Sequence, residues 1–213
     1  MAIELMNYPT ASSDLALRVA KGHFATSHSH INYYIDLTLT KHRLSEAKTA
    51  AKKLVSKLNL STIVDTILCL DGTEVIGTCM AEELTRAGFS NMNAHRTIYV
   101  VTPEHTTGSQ LIFRDNSAPM IVGKHVLVLA SSVTTGYTAQ AAIEAIRYYL
   151  GVPEGICSIF ASADTCEGFP VHSIFHTRDM MDDYESYSSR DCPLCKKGIK
   201  LDALVNAYGI SSF

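Results

Sequence analysis

The stretch His125–Gly151, HVLVLASSVTTGYTAQAAIEAIRYYLG, constrains the fold more than any other part of the chain. Its opening, HVLVLA, is a near-continuous apolar run, the pattern of a strand buried on both faces inside a parallel sheet. A hydroxyl-rich turn around Gly136 follows, and then YTAQAAIEAIRYYLG, a helix that closes at Gly151. Parallel strands are joined by crossovers, usually helical, so a chain that contains one such strand must supply several. SEAKTAAKKLVSKL places Ala47, Ala50, Ala51, Leu54, Val55 and Leu58 at helical spacing, with lysines on the other face. STIVDTILCLDG reads as a strand, Ile63 to Leu70, ending in a turn at Asp71-Gly72, and EVIGTCMAEELTRAG as a helix stopped by Gly88. TIYVV and GICSIFAS are further strands. This alternation predicts an α/β fold, a parallel sheet flanked by helices, in which ligands sit at the C-terminal ends of the strands. Asp71-Gly72 and Ser131–Thr138 then share one rim.

Between TIYVV and HVLVLA, the segment TPEHTTGSQLIFRDNSAPM is polar with proline near each end, which suits a long loop or a β-ribbon. The chain ends differ from the core. Residues 1–44 carry histidine and tyrosine clusters, residues 45–165 form the α/β core, and residues 166–213 are polar around DDYESYSSRDCPLCKKG. Both ends read as accessory layers over the site or as a partner interface. Ile199, Leu201, Leu204 and Val205 predict a short helix packing back on the core.

Charge is nearly balanced, 18 Lys+Arg against 21 Asp+Glu, which leaves no general electrostatic footprint for nucleic acid or an anionic membrane. The N-terminus lacks a basic region followed by an apolar run, and no apolar stretch is long enough to span a bilayer. A cytoplasmic location is the expectation. In that compartment the six cysteines are thiols or metal ligands rather than a disulfide framework.

SSVTTGYT offers hydroxyls at Ser131, Ser132, Thr134, Thr135 and Thr138, and Gly136 lets the backbone turn so that amides converge at a helix N-terminus. That is a cradle for a monoester phosphate, or else an ordinary strand-to-helix turn with a threonine cap. The order of apolar strand, VTTGYT and helix resembles the ribose-5-phosphate loop of type I phosphoribosyltransferases. KGHFATSHSHINYYIDL resembles the N-terminal hood segment of the orotate phosphoribosyltransferases, and TILCLDGTEVIGTCMAEEL sits where that family keeps its pyrophosphate loop.

The resemblance implies a phosphoribosyltransferase-type fold with an N-terminal hood. It makes Thr134, Thr135, Gly136, Tyr137 and Thr138, with Ser131 and Ser132, the 5-phosphate cradle. Asp71, Gly72 and Thr73 become the pyrophosphate loop, and Phe24, Ser27 and Tyr33 the base-binding group. It further implies magnesium for an active enzyme, and a homodimer. The chain departs from the family pattern at Ala130 and Ser131, where the family places two acids that engage the ribose diol. No lysine occupies Thr102–Asn116, so Arg114, or His105 when protonated, is the candidate catalytic cation; Ser27 stands where some orotate enzymes have lysine. Two functions fit this pattern. One is transfer of a phosphoribosyl group between pyrophosphate and a nitrogenous base; the other is binding of a nucleotide or sugar phosphate by a catalytically degenerate, regulatory relative.

Cys192 and Cys195, in DCPLCKKG, have the spacing of half a zinc knuckle and equally that of two thiols in a turn. His172, His176, Cys157 and Cys166 are the neighbours in sequence that could complete a structural zinc site. His23, His28 and His30 read as ligand-facing groups of the hood or as exposed polar residues around a strand.

Overall fold

The chain begins with three strands, β1 (Met6–Tyr8), β2 (Leu17–Ala25) and β3 (His30–Asp36), and two helices, α1 (Thr38–His42) and α2 (Leu44–Val55). The α/β units follow as β4 (Thr66–Cys69), α3 (Glu74–Arg86) and β5 (Tyr99–Val101); a ribbon, β6 (Glu104–His105) and β7 (Leu111–Ile112), leads to β8 (His125–Val133), α4 (Tyr137–Tyr148) and β9 (Val152–Ala161). The remainder is β10 (Thr165–Cys166), β11 (Phe169–His176), α5 (Thr177–Met180), β12 (Ser186–Tyr187), α6 (Pro193–Lys196), β13 (Ala203–Asn206) and β14 (Gly209–Ser212). This computed structural model describes residues 3–8, 15–59, 61–86, 97–106, 110–180 and 183–213. Gly88, read as the stop of the second helix, lies outside the described residues.

The central sheet has the order β10-β11-β9-β8-β4-β5. All its pairings are parallel except that of the edge strand β10. Taken in chain order, the parallel strands run second, first, third, fourth, fifth across the sheet, so connections leave β4 and β8 in opposite directions. Such a reversal opens a crevice at the strand ends. The two-faced burial predicted for the apolar runs is observed. Ile67, Cys69, Leu127 and Leu129 pack with α2 and α3 on one face. Leu68, Leu70, Val126, Val128 and Ala130 pack with α4 on the other. Gly77 lets α3 approach β4 closely, because a Cβ there would stand 2.4 Å from Cys69 Sγ.

Three readings change. β4 begins at Thr66 rather than Ile63, since the Thr62 amide is still bonded in a turn to the Asn59 carbonyl at 3.0 Å. Beyond residue 165 the chain is not only accessory: β11 forms a parallel ladder with β9 and completes the central sheet. The helix expected around Leu201–Val205 is instead the hairpin β13–β14. The burial of β13 alternates, with Ala203 and Val205 inside and Leu204 and Asn206 outside, which is the period of a strand.

The two chain ends form one sheet, not two layers. Its order is β12-β3-β2-β13-β14, with β1 on β2, and β13 lies parallel to β2 at Phe24 and Ala25. Leu15, Leu17, Val19, Tyr33 and Leu37 join the core formed by α2, α3 and the central sheet, so this hood is packed on the α/β unit.

Candidate functional site

The crevice at the reversal point is a cavity of about 280 Å3. Its floor is the end of β8 and the start of α4, where every residue from Ser131 to Ala139 contributes to the lining. Gly136 makes the turn, with φ +81°, a left-handed conformation that favours glycine, and caps α4 with no side-chain hydrogen bond. The first amides of α4 therefore have no capping oxygen, the arrangement that receives an anion at a helix N-terminus. The turn is held from behind: Ser162 Oγ donates to the Thr134 carbonyl (3.3 Å), and Cys166 Sγ contacts the Gly136 carbonyl (3.6 Å).

One strand away, the end of β4 is built differently. Asp71 (φ 58°) and Gly72 (φ 77°) form a left-handed turn. Thr73 is fully buried and its hydroxyl donates to the carbonyls of Leu70 (2.8 Å) and Leu129 (3.0 Å), which ties this turn to β8. Of the pyrophosphate-loop candidates, Asp71 lines the cavity. Ser131 Oγ donates to its carboxylate at 3.4 Å. Burial pushes the Asp71 carboxyl above the usual carboxylate range, opposed by the Lys41 ammonium, the Ser131 hydroxyl and His105. A carboxylate thus stands beside Ser131, reaching it from the neighbouring strand, while Ala130 is buried in the core against α4.

Lys41 went unnoticed in the sequence. It sits on α1, is 2% exposed, and donates from Nζ to the carbonyls of Asp71 (2.9 Å) and Ala207. Burial draws its ammonium below the usual lysine range, while Asp71, Glu74 and Asp36 oppose the shift. It also lies 5.8 Å from the centre of the Tyr208 ring. One buried cation thereby joins the β4 turn to the β13–β14 hairpin, whose residues Asn206–Tyr208 close another side of the cavity. A lone lysine ahead of an amphipathic helix carries no motif; only the packing of α1, which turns Thr40 and Lys41 inward, reveals it.

The hood closes the cavity through the β2–β3 connection, Thr26–Ser29, all of which lines it. Thr26 shapes the connection: its amide donates to the Ser29 carbonyl (2.7 Å) and its hydroxyl accepts the Ser29 amide (2.9 Å). His28 then reaches the cradle, its ring 5.5 Å from that of Tyr137. Ser27 and Tyr33 line the cavity, and the Tyr33 hydroxyl donates to Asp183 at 2.9 Å. Phe24 is elsewhere: it is 1% exposed and packs against Tyr34, Ala203 and Val205 in the hood's own core. On the ribbon, Arg114 donates two hydrogen bonds of 2.6 Å to Glu104, an exposed pair outside the cavity lining. His105, exposed on the same ribbon, is also outside the cavity lining.

The metal reading needs a correction in its partners. Cys157 is fully buried in β9, its thiol pushed up to about 12 by burial, and His176 faces Asp164. The atoms that meet Cys192 and Cys195 are instead those of His23 and His30, and the four ligand atoms lie within 4.8 Å of one another. Sequence proximity pointed to β11; the hood sheet brings together residues about 170 apart in the chain.

No family model matches the chain. Among solved structures, it is similar to the UMP synthase of Leishmania donovani at a TM-score of 0.55 and 16% identity, over 75% of this chain and 34% of that one. It is similar to the adenine phosphoribosyltransferase of Thermoanaerobacter pseudethanolicus at a TM-score of 0.51 and 14% identity, over 68% and 88% of the two chains. The orotate phosphoribosyltransferase of Mycobacterium tuberculosis in complex with 5-phospho-alpha-D-ribosyl 1-diphosphate matches at a TM-score of 0.48 and 16% identity, over 68% and 82%. The chain has the type I phosphoribosyltransferase fold. Among its described residues, no helix is long and apolar enough to cross a membrane.

Proposed function

We propose that this chain binds a ribose-5-phosphate-bearing ligand, a sugar phosphate or a nucleotide, in the cavity between the hood and the strand ends. The observation that carries this reading is the uncapped, glycine-turned start of α4 lining the cavity with Asp71 beside Ser131. The 5-phosphate sits on the amides and hydroxyls of Ser131–Thr138, a site made of dipoles that needs no basic side chain. The ribose diol faces Asp71, and a planar base extends toward Ser27, His28 and Tyr33.

A second reading, phosphoribosyl transfer, is favoured by one specific feature: a carboxylate, that of Asp71, lies beside Ser131, one of the two positions where the family pattern has acids. Charge developing at the anomeric carbon would be stabilised by that carboxylate, and the hood would exclude water from the reaction. Magnesium, which the fold family implies, suits this donor set, because Mg2+ is usually held by one or two carboxylates together with substrate phosphates. Asp71 would be its protein ligand, and the ion would neutralise pyrophosphate charge next to an otherwise repelling residue. A cytoplasmic homodimer, implied by the family resemblance, is part of the same reading.

Isothermal titration with phosphoribosyl pyrophosphate, with and without magnesium, beside ribose 5-phosphate and orotidine monophosphate, tests both. Binding of the monophosphates alone supports the binding protein. Magnesium-dependent binding of the pyrophosphate donor supports the enzyme, to be followed by assays against bases. If none binds, the cavity has another ligand.

A further inference from the structure

The His23, His30, Cys192 and Cys195 side chains converge from three elements at the edge of the hood. His23 lies on β2 next to an irregularity in the β2–β3 ladder between Lys21 and Phe24, and such bulges re-aim side chains. His30 opens β3, Cys192 is the N-cap of the single turn of α6, and Cys195 lies within that turn. The spacings are 3.2 Å for His23 Nε2 to His30 Nδ1, 3.4 Å for Cys192 Sγ to His23 Nε2, 3.7 Å for Cys195 Sγ to His23 Nε2 and 3.3 Å for Cys195 Sγ to His30 Nδ1. A tetrahedral zinc with bonds of about 2.3 Å to sulfur and about 2.05 Å to nitrogen has edges of about 3.3 Å between nitrogens and about 3.5 Å between nitrogen and sulfur. These four of the six edges scatter around those values, and all four atoms lie within 4.8 Å of one another.

Hydrogen bonding alone does not account for the cluster. His23 Nδ1 lies 2.9 Å from the Ile199 carbonyl, which can only accept, so Nδ1 carries the proton and the neutral ring presents a lone pair at Nε2. That one lone pair faces three partners, Cys192, Cys195 and His30. An ion among the four satisfies all of them at once, and a backbone carbonyl on the far ring nitrogen is the usual outer partner of a metal-bound histidine. Two thiolates and two neutral imidazoles also balance the charge of Zn2+, with the two thiol protons released to solvent.

We propose that His23 Nε2, His30 Nδ1, Cys192 Sγ and Cys195 Sγ bind one structural zinc ion that clamps the C-terminal tail to the hood hairpin. The clamp is independent of what the cavity binds. Its position gives it a local consequence: His23 and His30 flank the connection Thr26–Ser29, so the ion fixes both ends of the segment that covers the cavity. Asp202 reinforces the junction, its carboxylate accepting the His23 amide and its amide donating to the His23 carbonyl, both at 2.8 Å.

The test is metal content of the purified, untagged full chain by mass spectrometry. About one zinc per chain is expected. Cys195→Ala, which removes the exposed ligand, and His30→Ala should each lose it, while His172→Ala, at a sequence neighbour outside the cluster, should retain it. Cobalt added to the chelated protein should give the visible absorption of a tetrahedral thiolate site, absent in Cys195→Ala. Adding zinc to the chelated protein should slow hydrogen exchange at Thr26–Ser29. Purified chain without zinc that also shows no cobalt spectrum overturns the site; so does zinc retained in both ligand variants. Zinc bound without slowed exchange overturns the clamping of the connection.

Discussion

At the end of β8 the chain presents hydroxyls and helix amides, with no charged side chain between Ser131 and Thr138. At the end of β4, one strand away, the Asp71 carboxylate stands in the turn and the Lys41 ammonium reaches that turn from α1. The difference teaches how a neutral cradle is reconciled with a charged ligand. Backbone dipoles hold a phosphate through geometry alone, so the β8 end depends on shape. Charge is moved to the β4 end, where burial makes it costly and Lys41, Asp71 and Ser131 compensate one another.

The largest effect expected is at the geometric end. Gly136→Val should lower affinity for ribose 5-phosphate on the order of a hundredfold, since a β-branched residue held at such a φ costs about 1–3 kcal/mol. Its Cβ would also meet Cys166 Sγ at 3.4 Å. Titration alongside a thermal melt checks this, and unchanged affinity would remove the β8 turn from the site.

Next comes Lys41→Met, which leaves the carbonyls of Asp71 and Ala207 without their donor and the Asp71 carboxylate without its counter-charge. Denaturant unfolding should register a loss of about 2 kcal/mol, the usual cost of stranding buried polar groups. A stability equal to that of the unaltered chain would mean that charge at the β4 end is solvated and the contrast with β8 is shallow.

Asp71→Asn should act in two directions. Affinity for a ribose diol should fall about tenfold with loss of the charged acceptor. Stability should rise slightly at neutral pH. Burial raises the folded carboxyl above its free value of 3.8, so the wild-type side chain stabilises the fold below that value and loses this contribution as pH rises through the folded pKa. The advantage of the asparagine variant should therefore shrink as melts are taken toward pH 3.8. An advantage constant with pH would point to packing rather than charge.

The smallest effect belongs to Arg114→Ala. With the guanidinium committed to Glu104 at the surface, affinity for ribose 5-phosphate should change less than about twofold. Selective loss of magnesium-dependent binding of the pyrophosphate donor would bring the ribbon over the site and extend the comparison to a third element.

Much of the parallel core was legible because a strand buried on both faces leaves an unbroken apolar run, as in HVLVLA, and a helix packed on it leaves a periodic one, as in Ala47, Ala50, Ala51 and Leu54. The VTTGYT turn was legible because left-handed backbone before a helix needs glycine. Phe24 was misplaced because an aromatic on a hood strand has the same local pattern whether it faces the hood's core or a ligand. The β13–β14 hairpin is ambiguous in the sequence because Leu201, Leu204 and Val205 also fall on a helical period, and three apolar residues are too few to separate the two.

By itself the sequence determined what local physics encodes: the succession of buried strands and amphipathic helices, the glycine turn, and the spacing of the two cysteines. Only the tertiary structure decided which distant groups meet. Asp71 stands opposite Ser131 because β4 and β8 are adjacent in the sheet, Lys41 reaches Ala207 because the tail folds over α1, and His23 meets Cys192 because both chain ends share one sheet. The physical reason is range. Periodicity and turn chemistry act over a few residues, whereas these contacts depend on sheet order and register, which are set by the packing of the whole chain.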